Sequence, residues 1–441
     1  MQPPNSTNNF FLNRTEQIFS IFDGQPISNY KLLNHAAFLS QSLTGKRYFI
    51  NLCQDRYLFG VVFLAGIISK CPNLLPPNQA KQTLGKLMQQ YPNSICITDN
   101  PELKNEAYFL SSTFFSECDV TDIPIIDSEQ IASISFTSGS TGQPKAIAKT
   151  LREFQRGAQL ATQQLDLDDK KLTVVATVPP QHMYGLETSL FWPLYSSLVI
   201  DSGKPFFPED IRSQLFSAKT PCLLVATPRH LKSCVEANLK WQNIDRILSS
   251  TAPMSLQLAE QIEDCFNAPL HEIFGSTETL SYASRRLTQN SHWQPYQGIH
   301  IKQQEQQFFV SGGHLEDPVS LDDQFSLEEN GNFSVIGRSA DLIKIAGKRA
   351  SLLQLNNIVL SIEGVEDGVF YLTEQERLGA IIVGQIAKKQ LLHELKQHVD
   401  PVFLPRPLHL VEQLPRNEVG KLVQSKLDQL IQQLNRARNN P

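Results

Sequence analysis

Strand-like and helix-like segments alternate between residues 47 and 273, and this alternation constrains the fold more than any other feature of the sequence. Short β-branched or apolar runs bounded by turn residues indicate strands, and longer runs with helical periodicity indicate helices. Alternation of this kind implies crossover units on a mainly parallel sheet. The predicted strands are 48–52, 95–98, 131–136, 172–178, 222–226 and 244–248, and the predicted helices are 57–69, 79–90, 149–165, 210–217 and 256–266.

The pattern changes after about residue 279, where short strands such as 308–311 and 332–336 dominate. Beyond residue 338 a region of about 100 residues has the size and the mixed pattern of a small α+β domain. We therefore predict an α/β fold with two domains, residues 1–337 and residues 338–441. The C-terminal elements predicted are helices 353–362, 388–398 and 421–438 and strands 368–372, 380–383 and 408–411.

The composition is that of an ordinary globular protein, with 41% apolar and 19% charged residues. The formal net charge of −5 argues against a general nucleic-acid partner. Seven cysteines without a CxxC pair favour free thiols in a reducing cytoplasm. The longest apolar run, residues 58–68, is well short of the ~20 residues that a membrane span needs, so it predicts a buried helix. The polar N-terminus lacks the features of a signal peptide.

A segment rich in glycine and hydroxyl groups follows the predicted strand at 131–136: Phe136-Thr-Ser-Gly-Ser-Thr-Gly-Gln-Pro-Lys145. Backbone N–H groups exposed by glycine, with hydroxyl donors beside them, form a concave anion site, and the terminal lysine adds a mobile positive charge. The segment is not a Walker A loop, because Pro144 precedes the lysine and Ala146 follows it. It predicts a polyphosphate site, with a flexible linker or a tight turn rich in Ser and Gly as the alternative.

The segment resembles the phosphate-binding signature of the adenylate-forming superfamily, which includes acyl-CoA synthetases, aryl–CoA ligases and the adenylation domains of peptide synthetases. Further segments match motifs of that superfamily in its own order. Taken singly, each has an ordinary structural explanation, such as a core histidine or a capped turn; in register they indicate the superfamily. These segments are 179–185, 225–231, 249–253, 274–278, 337–349 and 414–421.

The resemblance implies that ATP and Mg²⁺ bind here. Phe274 would flank the adenine, Thr277 would bond the α-phosphate, and Glu278 would hold Mg²⁺, which prefers oxygen ligands. Asp323 would bind the ribose, although Asp322 competes for that role, and Arg338 would bond ribose and phosphate. The remaining residues implied in nucleotide binding are Thr137, Ser138, Gly139, Ser140, Thr141, Gly142, Lys145 and Arg349.

The resemblance also implies a mobile C-terminal domain that rotates about a hinge at residues 339–341, where Ala340 stands in place of the usual Asp or Lys. Lys421 would bridge the carboxylate and the α-phosphate during adenylation, and rotation would bring Gly347 beside the tunnel of the thiol. The chain is shorter than most relatives between Glu278 and Asp323. We therefore expect a trimmed β-barrel part.

The acid pocket, by the same resemblance, would be lined by His182, Met183, Tyr184, Gly185, Thr251, Ala252 and Thr279. Small and aromatic side chains favour a flat aromatic or short acyl acid. The compact size and the stretch at 179–187 look like ligases of aryl-polyene and xanthomonadin-type pigment pathways, which load hydroxybenzoic or hydroxycinnamic acids onto an acyl carrier protein. Glu187 is interpreted as structural or surface-facing, with a phenol partner as the alternative.

The predicted function is ATP-dependent activation of a carboxylic acid, followed by thioester formation with coenzyme A or with the phosphopantetheine of an acyl carrier protein. A medium- or long-chain acyl-CoA synthetase and a non-catalytic nucleotide-binding protein on the same scaffold are the alternatives. The expected protein is cytoplasmic, with neither a membrane span nor a nucleic-acid partner. The candidate catalytic residues are Lys145, His182, Thr277, Glu278 and Lys421.

Overall fold

The computed structural model describes residues 16–115, 126–138, 144–338, 342–345, 348–373, 377–417, 420 and 422–439. The first elements form a hairpin and most of a sheet. In chain order they are β1 (Ile18–Phe22), β2 (Gln25–Ser28), α1 (Asn29–Ser42), β3 (Tyr48–Asn51), α2 (Arg56–Ile68), β4 (Asn73–Leu75), α3 (Lys81–Gln90), β5 (Ser94–Thr98), β6 (Tyr108–Phe109), β7 (Ile131–Ser138) and β8 (Pro144–Thr150).

The central part of the chain alternates strictly between strands and helices. Its elements are α4 (Leu151–Gln164), β9 (Thr173–Ala176), α5 (Met183–Leu186), a π-helical stretch (Glu187–Phe191), α6 (Trp192–Tyr195), β10 (Val199–Asp201), α7 (Pro208–Ser217), β11 (Cys222–Ala226), α8 (Pro228–Glu236), β12 (Ile244–Ser249), α9 (Leu256–Phe266) and β13 (Leu270–Ser276).

Antiparallel strands and a small α/β unit complete the chain. These elements are β14 (Leu280–Arg285), β15 (Gln294–Pro295), β16 (Ile299–Gln304), β17 (Gln307–Gly312), β18 (Leu315–Leu321), β19 (Asp323–Leu327), β20 (Phe333–Arg338), β21 (Leu342–Ile345), β22 (Lys348–Ser351), α10 (Leu352–Leu360), β23 (Val365–Leu372), β24 (Leu378–Gly384), α11 (Lys388–His398), β25 (Leu408–Leu410) and α12 (Gln424–Asn439).

Two large sheets carry the parallel strands. The nine-stranded sheet has the order β15-β14-β13-β12-β11-β9-β10-β1-β2, and its six central strands from β13 to β1 run parallel. The six-stranded sheet has the order β6-β5-β3-β4-β7-β8, and only β8 is antiparallel to its neighbour. The predicted α/β class with mainly parallel sheets is confirmed.

Helix α2 shows why these sheets pack as they do. Every residue from Arg56 to Ile67 is buried, as the apolar run at 58–68 predicts. On α4, the Phe154 ring stacks on Phe191 with ring centroids 4.1 Å apart, and Phe63 of α2 meets Phe191 edge-on at 5.5 Å. Burying such side chains contributes about 1.5–3 kcal/mol each, so this aromatic contact ties α2 to α4 and to the π-helical stretch.

Strand β8 corrects one prediction. The helix expected at 149–165 begins at Leu151, because Thr150 and Glu153 form a capping box: the Glu153 N–H donates to the Thr150 hydroxyl, and the Thr150 N–H donates to the Glu153 carboxylate. Lys149 and Thr150 therefore end a strand that returns from the glycine-rich segment. No strand is predicted at 144–150, because Lys145 is assigned to the glycine-rich segment and residues 149 and 150 to the helix.

Residues 299–338, where a trimmed barrel is expected, form the three-stranded antiparallel sheet β16–β18 and the hairpin β19–β20. After residue 342, two apolar clusters form around β23 and β24, one with α10 and α11 and one with α12. Within the described part of the chain, no helix has the length and apolar character needed to cross a bilayer. The cysteines described are free thiols, and all but Cys265 are buried.

Candidate active site

The carboxyl ends of four neighbouring parallel strands lie at one edge of the nine-stranded sheet. In spatial order these strands are β13, β12, β11 and β9. In open α/β sheets, ligands bind outside this edge. The motifs at 225–231, 249–253 and 274–278 begin in the last residues of β11, β12 and β13. Two residues separate the end of β9 from the segment 179–185.

The edge of the six-stranded sheet meets the same region. Arg56 opens α2 just after β3, is fully buried, and donates to the carbonyl of Ala176 at the end of β9 (2.5 Å) and to the Ser189 hydroxyl (3.0 Å). The Gln181 amide donates to the Cys53 carbonyl at 2.5 Å. These bonds join the carboxyl ends of β3 and β9, so the two sheets present their ligand-binding edges together. The sequence motifs do not indicate this role of Arg56. The signal that could have predicted it is a charged residue at the first position of an otherwise apolar helix.

The segment 179–185 holds His182 at the start of α5. The His182 N–H donates to the Pro179 carbonyl at 3.2 Å, and the His182 carbonyl accepts from the Leu186 N–H at 2.7 Å. A Cβ at Gly185 would lie 2.1 Å from the Pro179 oxygen, so only glycine permits this turn. Gly185 thus shapes the segment, whereas the half-buried His182 and Met183 face its more open side.

Tyr184 is buried within the sheet edge. Its hydroxyl donates to the Leu248 carbonyl at 2.8 Å and lies 3.2 Å from the Ala226 carbonyl, which ties α5 to the ends of β12 and β11. Burial raises the pKa of Tyr184 well above its usual value, so the phenol stays neutral. The sequence resemblance assigns Tyr184 to contact with the substrate, but its hydrogen bonds give it a packing role at the sheet edge.

Thr277 and Glu278 lie in the turn between β13 and β14, and both are half-buried. Gly275 is required there, because a Cβ would lie 2.0 Å from the Leu280 carbonyl. The Thr279 hydroxyl accepts from the Ser276 N–H at 2.9 Å and closes the turn. Thr279 is fully buried, so its side chain shapes this turn, although the resemblance places it in the acid pocket.

Phe274 precedes the turn and packs among other aromatic rings. Its ring lies 5.1 Å from Trp293, 5.5 Å from Tyr282 and 5.8 Å from Phe333, measured between ring centroids. Edge-to-face and tilted contacts of this kind contribute about 0.5–1.5 kcal/mol each beyond the area buried. The Phe274 ring, which would flank the adenine, is therefore held in place by three aromatic neighbours.

Asp323 and Arg338, both predicted to bind the ribose, are partners in the β19–β20 ladder. Asp323 is half-buried at the start of β19, whereas Asp322 precedes the strand and is exposed. On the six-stranded sheet, the exposed Lys145 of β8 is the ladder partner of Thr137 in β7. The strand pairing therefore places Asp323 opposite Arg338, and Lys145 opposite Thr137.

Several predicted positions lie outside the described residues: Gly139, Ser140, Thr141, Gly142, the hinge at 339–341, Gly347 and Lys421. For Thr137, Ser138, Arg338 and Arg349 the strand position is described but not the side chain. Thr251 lies just after β12 with φ +81°, and Ala252 follows it. A left-handed threonine is uncommon and marks a turn shaped by its surroundings.

The loop that leads to Lys421 is held by Arg416. Its guanidinium forms two bonds with the Asp367 carboxylate (2.6 and 2.7 Å) and a third with the Gly420 carbonyl (3.0 Å). A Cβ on Gly420 would lie 3.8 Å from the Cβ of Arg229 in α8, which follows β11. Gly420 therefore lies against the start of α8, at the carboxyl edge of the nine-stranded sheet.

The donor chemistry fits magnesium. Glu278 and Thr277 offer oxygen atoms only, and the described residues contain no cluster of three His, Cys, Asp or Glu side chains that could enclose a metal. Mg²⁺ binds through one or two carboxylates plus substrate phosphates and water, rather than in a cage made by the protein alone. A single partly exposed carboxylate such as Glu278 meets that requirement if a bound nucleotide supplies the phosphates.

The family model described as "AMP-binding enzyme" matches residues 41–306. The chain belongs to the AMP-binding enzyme family. The match spans more than half of the chain and contains every motif discussed up to the Thr277–Glu278 turn. The predicted membership of the adenylate-forming superfamily is confirmed.

Curated relatives of this AMP-binding enzyme include two 2-succinylbenzoate–CoA ligases. That of Staphylococcus epidermidis is 24% identical over 347 residues, covering 71% of this chain and 72% of the relative. That of Staphylococcus aureus strain Newman is 23% identical over 333 residues, covering 68% and 67%. Their names agree with the prediction of an AMP-forming acid–thiol ligase.

Solved structures of adenylate-forming enzymes share the fold. ATP-bound MatB from Rhodopseudomonas palustris superposes with a TM-score of 0.81 at 16% identity, covering 96% of this chain and 98% of MatB. The o-succinylbenzoate CoA synthetase MenE from Bacillus subtilis, in complex with its acyl-adenylate, gives a TM-score of 0.80 at 18% identity, with 95% and 97% covered. The likeness extends over the C-terminal region that the family model does not reach.

Proposed function

We propose that this AMP-binding enzyme is an acid–thiol ligase. A carboxylate oxygen of the acid attacks the α-phosphorus of ATP and pyrophosphate leaves, which gives an acyl-adenylate. A thiol sulfur then attacks the acyl carbon, the thiol proton passes to solvent, and AMP leaves. The observation that carries the proposal is the meeting of the 179–185 segment, the Thr251 turn and the Thr277–Glu278 turn at one sheet edge.

Charge neutralisation and positioning supply the catalysis, since no protein nucleophile is needed. Lys145 and the glycine-rich segment bind phosphate, and Lys421, which directly follows Gly420, neutralises charge on the reacting carboxylate and α-phosphate. Asp323 and Arg338 orient the ribose from neighbouring strands, and Phe274 presents its held ring to the adenine. Magnesium, bound through Glu278, would neutralise phosphate charge.

The acid is proposed to be aromatic or a short acyl acid. The Tyr184 phenol is engaged by sheet carbonyls, Gly185 is packed on Pro179, and Thr279 is buried. We therefore assign direct contact with the acid to the more open residues His182, Met183, Thr251 and Ala252. The names of the relatives favour an aromatic carboxylic acid.

Coenzyme A is the acceptor that the relatives' names favour, and the phosphopantetheine of an acyl carrier protein offers the same reacting thiol. We also propose that residues 338–441 form a lid domain turning about 339–341. The apolar clusters around β23 and β24 support this boundary, because their members all lie at residue 343 or beyond.

Measuring adenylation and thioester formation separately tests the role proposed for Lys421. Lys421→Ala should lower acid-dependent ATP–pyrophosphate exchange by at least about 100-fold, as loss of one transition-state contact does. It should largely retain thioester formation from supplied acyl-adenylate. Exposed Lys426→Ala, on the following helix, is the control and should leave both reactions unchanged. Equal loss of both reactions in Lys421→Ala would contradict the assigned role.

A further inference from the structure

A buried polar network lies behind the Thr277–Glu278 turn and contains residues that the proposed mechanism does not use. Glu187 stands at its centre, is 4% exposed, and comes from the π-helical stretch. Its carboxylate accepts from the Ser281 N–H at 3.1 Å to each oxygen, and from the Ser281 hydroxyl at 2.5 Å. Glu187 therefore holds β14 by hydrogen bonds, directly after the Thr277–Glu278 turn.

His314 holds the other residue that flanks Leu280. It is 2% exposed, in the turn between β17 and β18, and its Nε2 lies 2.7 Å from the Thr279 carbonyl oxygen. A carbonyl oxygen only accepts, so the imidazole donates from Nε2. Burial lowers the pKa of His314, which keeps the ring neutral. The backbone of the turn is thus bonded at Thr279 by one buried side chain and at Ser281 by another.

The backbone between these two anchors is strained. Leu280 has φ +56°, a left-handed conformation that costs a residue with a Cβ roughly 1–2 kcal/mol. Such conformations persist where the surroundings over-determine them, and they cluster at functional sites. The bonds from His314 and Glu187 flank Leu280 directly and provide that constraint.

Lys149 is the positively charged side chain that favours the ionised form of Glu187. Lys149 is 5% exposed at the end of β8 and also pairs with Glu153, with Nζ 2.7 Å from the Glu153 carboxylate. Burial raises the pKa of Glu187 to about 7, against the lowering effects of Ser281 and Lys149. Burial, together with the nearby Glu187 carboxylate, raises the pKa of both Tyr184 and Tyr296, so both phenols stay neutral.

We propose that Glu187 and His314 are positioning residues that lock the strained turn bearing Thr277 and Glu278, and thereby set the affinity for magnesium-bound nucleotide. The inference rests on the proposed role of Glu278. It assigns the carboxylate in the 179–187 stretch to the phosphate side of the site, and not to a phenol on the acid or to the protein surface.

The test compares two affinities measured by calorimetry, that for MgATP and that for AMP without magnesium, because only the former needs Glu278. Glu187→Ala and His314→Ala should each weaken MgATP binding about tenfold or more, as loss of groups that orient metal ligands does, and change AMP binding less than about twofold. Glu187→Gln and His314→Gln, which keep an acceptor and a donor respectively, should recover part of the MgATP affinity.

Glu272→Gln is the matched control. Glu272 is equally buried on the same hairpin, but it pairs with Arg285 (2.7 Å) away from the turn. Its substitution should lower thermal stability and leave the ratio of the two affinities unchanged. A similar change of this ratio in Glu272→Gln, or equal weakening of both affinities in Glu187→Ala and His314→Ala, would overturn the proposal.

The pH dependence of MgATP affinity distinguishes a positioning role of Glu187 from general destabilisation of the fold. Below pH 7 the Glu187 carboxyl becomes protonated and loses acceptor capacity, so the wild-type advantage over Glu187→Gln in MgATP affinity should shrink from pH 8 to pH 6. The protonation of ATP changes with pH in the same way for both proteins, so it does not alter the ratio of their MgATP affinities. A constant ratio contradicts the positioning role. Because binding needs no acid, failure of every acid to support exchange would instead count against the ligase proposal.

Discussion

Gly185→Ala tests whether the 179–185 segment positions His182. The added Cβ would lie 2.1 Å from the Pro179 oxygen and 2.8 Å from its carbonyl carbon, so backbone must move by about 1 Å to restore an ordinary contact. Overpacking of this kind costs about 1–3 kcal/mol. Because the Pro179 carbonyl accepts from the His182 N–H, the movement displaces His182 as well.

We expect Gly185→Ala to lower the Tm by several degrees and to reduce kcat/KM for the acid about 100-fold, which is the scale of a 1 Å misplacement at a reacting site. MgATP affinity should change little. The control is Gly85→Ala in α3, where a Cβ meets nothing within 4 Å; alanine there should be neutral or stabilise by about 0.5–1 kcal/mol. If both variants share the same Tm and kcat/KM, the close packing of Gly185 does not position His182.

Further predictions concern the surroundings of the site. Tyr184→Phe should cost about 1–3 kcal/mol, because it leaves sheet carbonyls without their donor, and should leave KM for the acid unchanged; a shift in KM with unchanged thermal unfolding would reverse this assignment. Asp323→Asn should weaken AMP binding in calorimetry, whereas Asp322→Asn should not; the opposite order would make Asp322 the ribose ligand. Arg416→Ala removes the bonds to Asp367 and to the Lys421 loop, and should slow adenylation more than thioester formation in single-turnover assays; equal slowing would contradict it.

The sequence predicts the sheet-forming core well where apolar runs are bounded by turn residues. The buried helix α2 and the strand at 222–226 follow from such runs, since burial on both faces requires continuous apolar sequence. Strand β8 was missed although the Thr150 and Glu153 capping box marks the helix start. Short strands such as β10 carry too few residues for a pattern.

Motif residues of the site were predicted by position, but their roles depend on packing that a motif does not describe. Gly185, Tyr184 and Thr279 lie at the predicted site, yet the structure shows them packed, bonded to the sheet or buried in the turn. Glu187 was interpreted as structural or surface-facing. It is buried, because the π-helical stretch directs it inward toward Ser281, and no periodicity in the sequence indicates that direction.

The most direct test of the ligase proposal is acid-dependent ATP–pyrophosphate exchange across a panel of aromatic, short acyl and long fatty acids. We predict exchange with aromatic or short acids. A thioester of the same acid should be detected by mass spectrometry once coenzyme A or a carrier protein bearing phosphopantetheine is added. Exchange with none of the acids, by a protein that binds MgATP, would contradict the account. Exchange with long fatty acids alone would contradict its assignment of the acid.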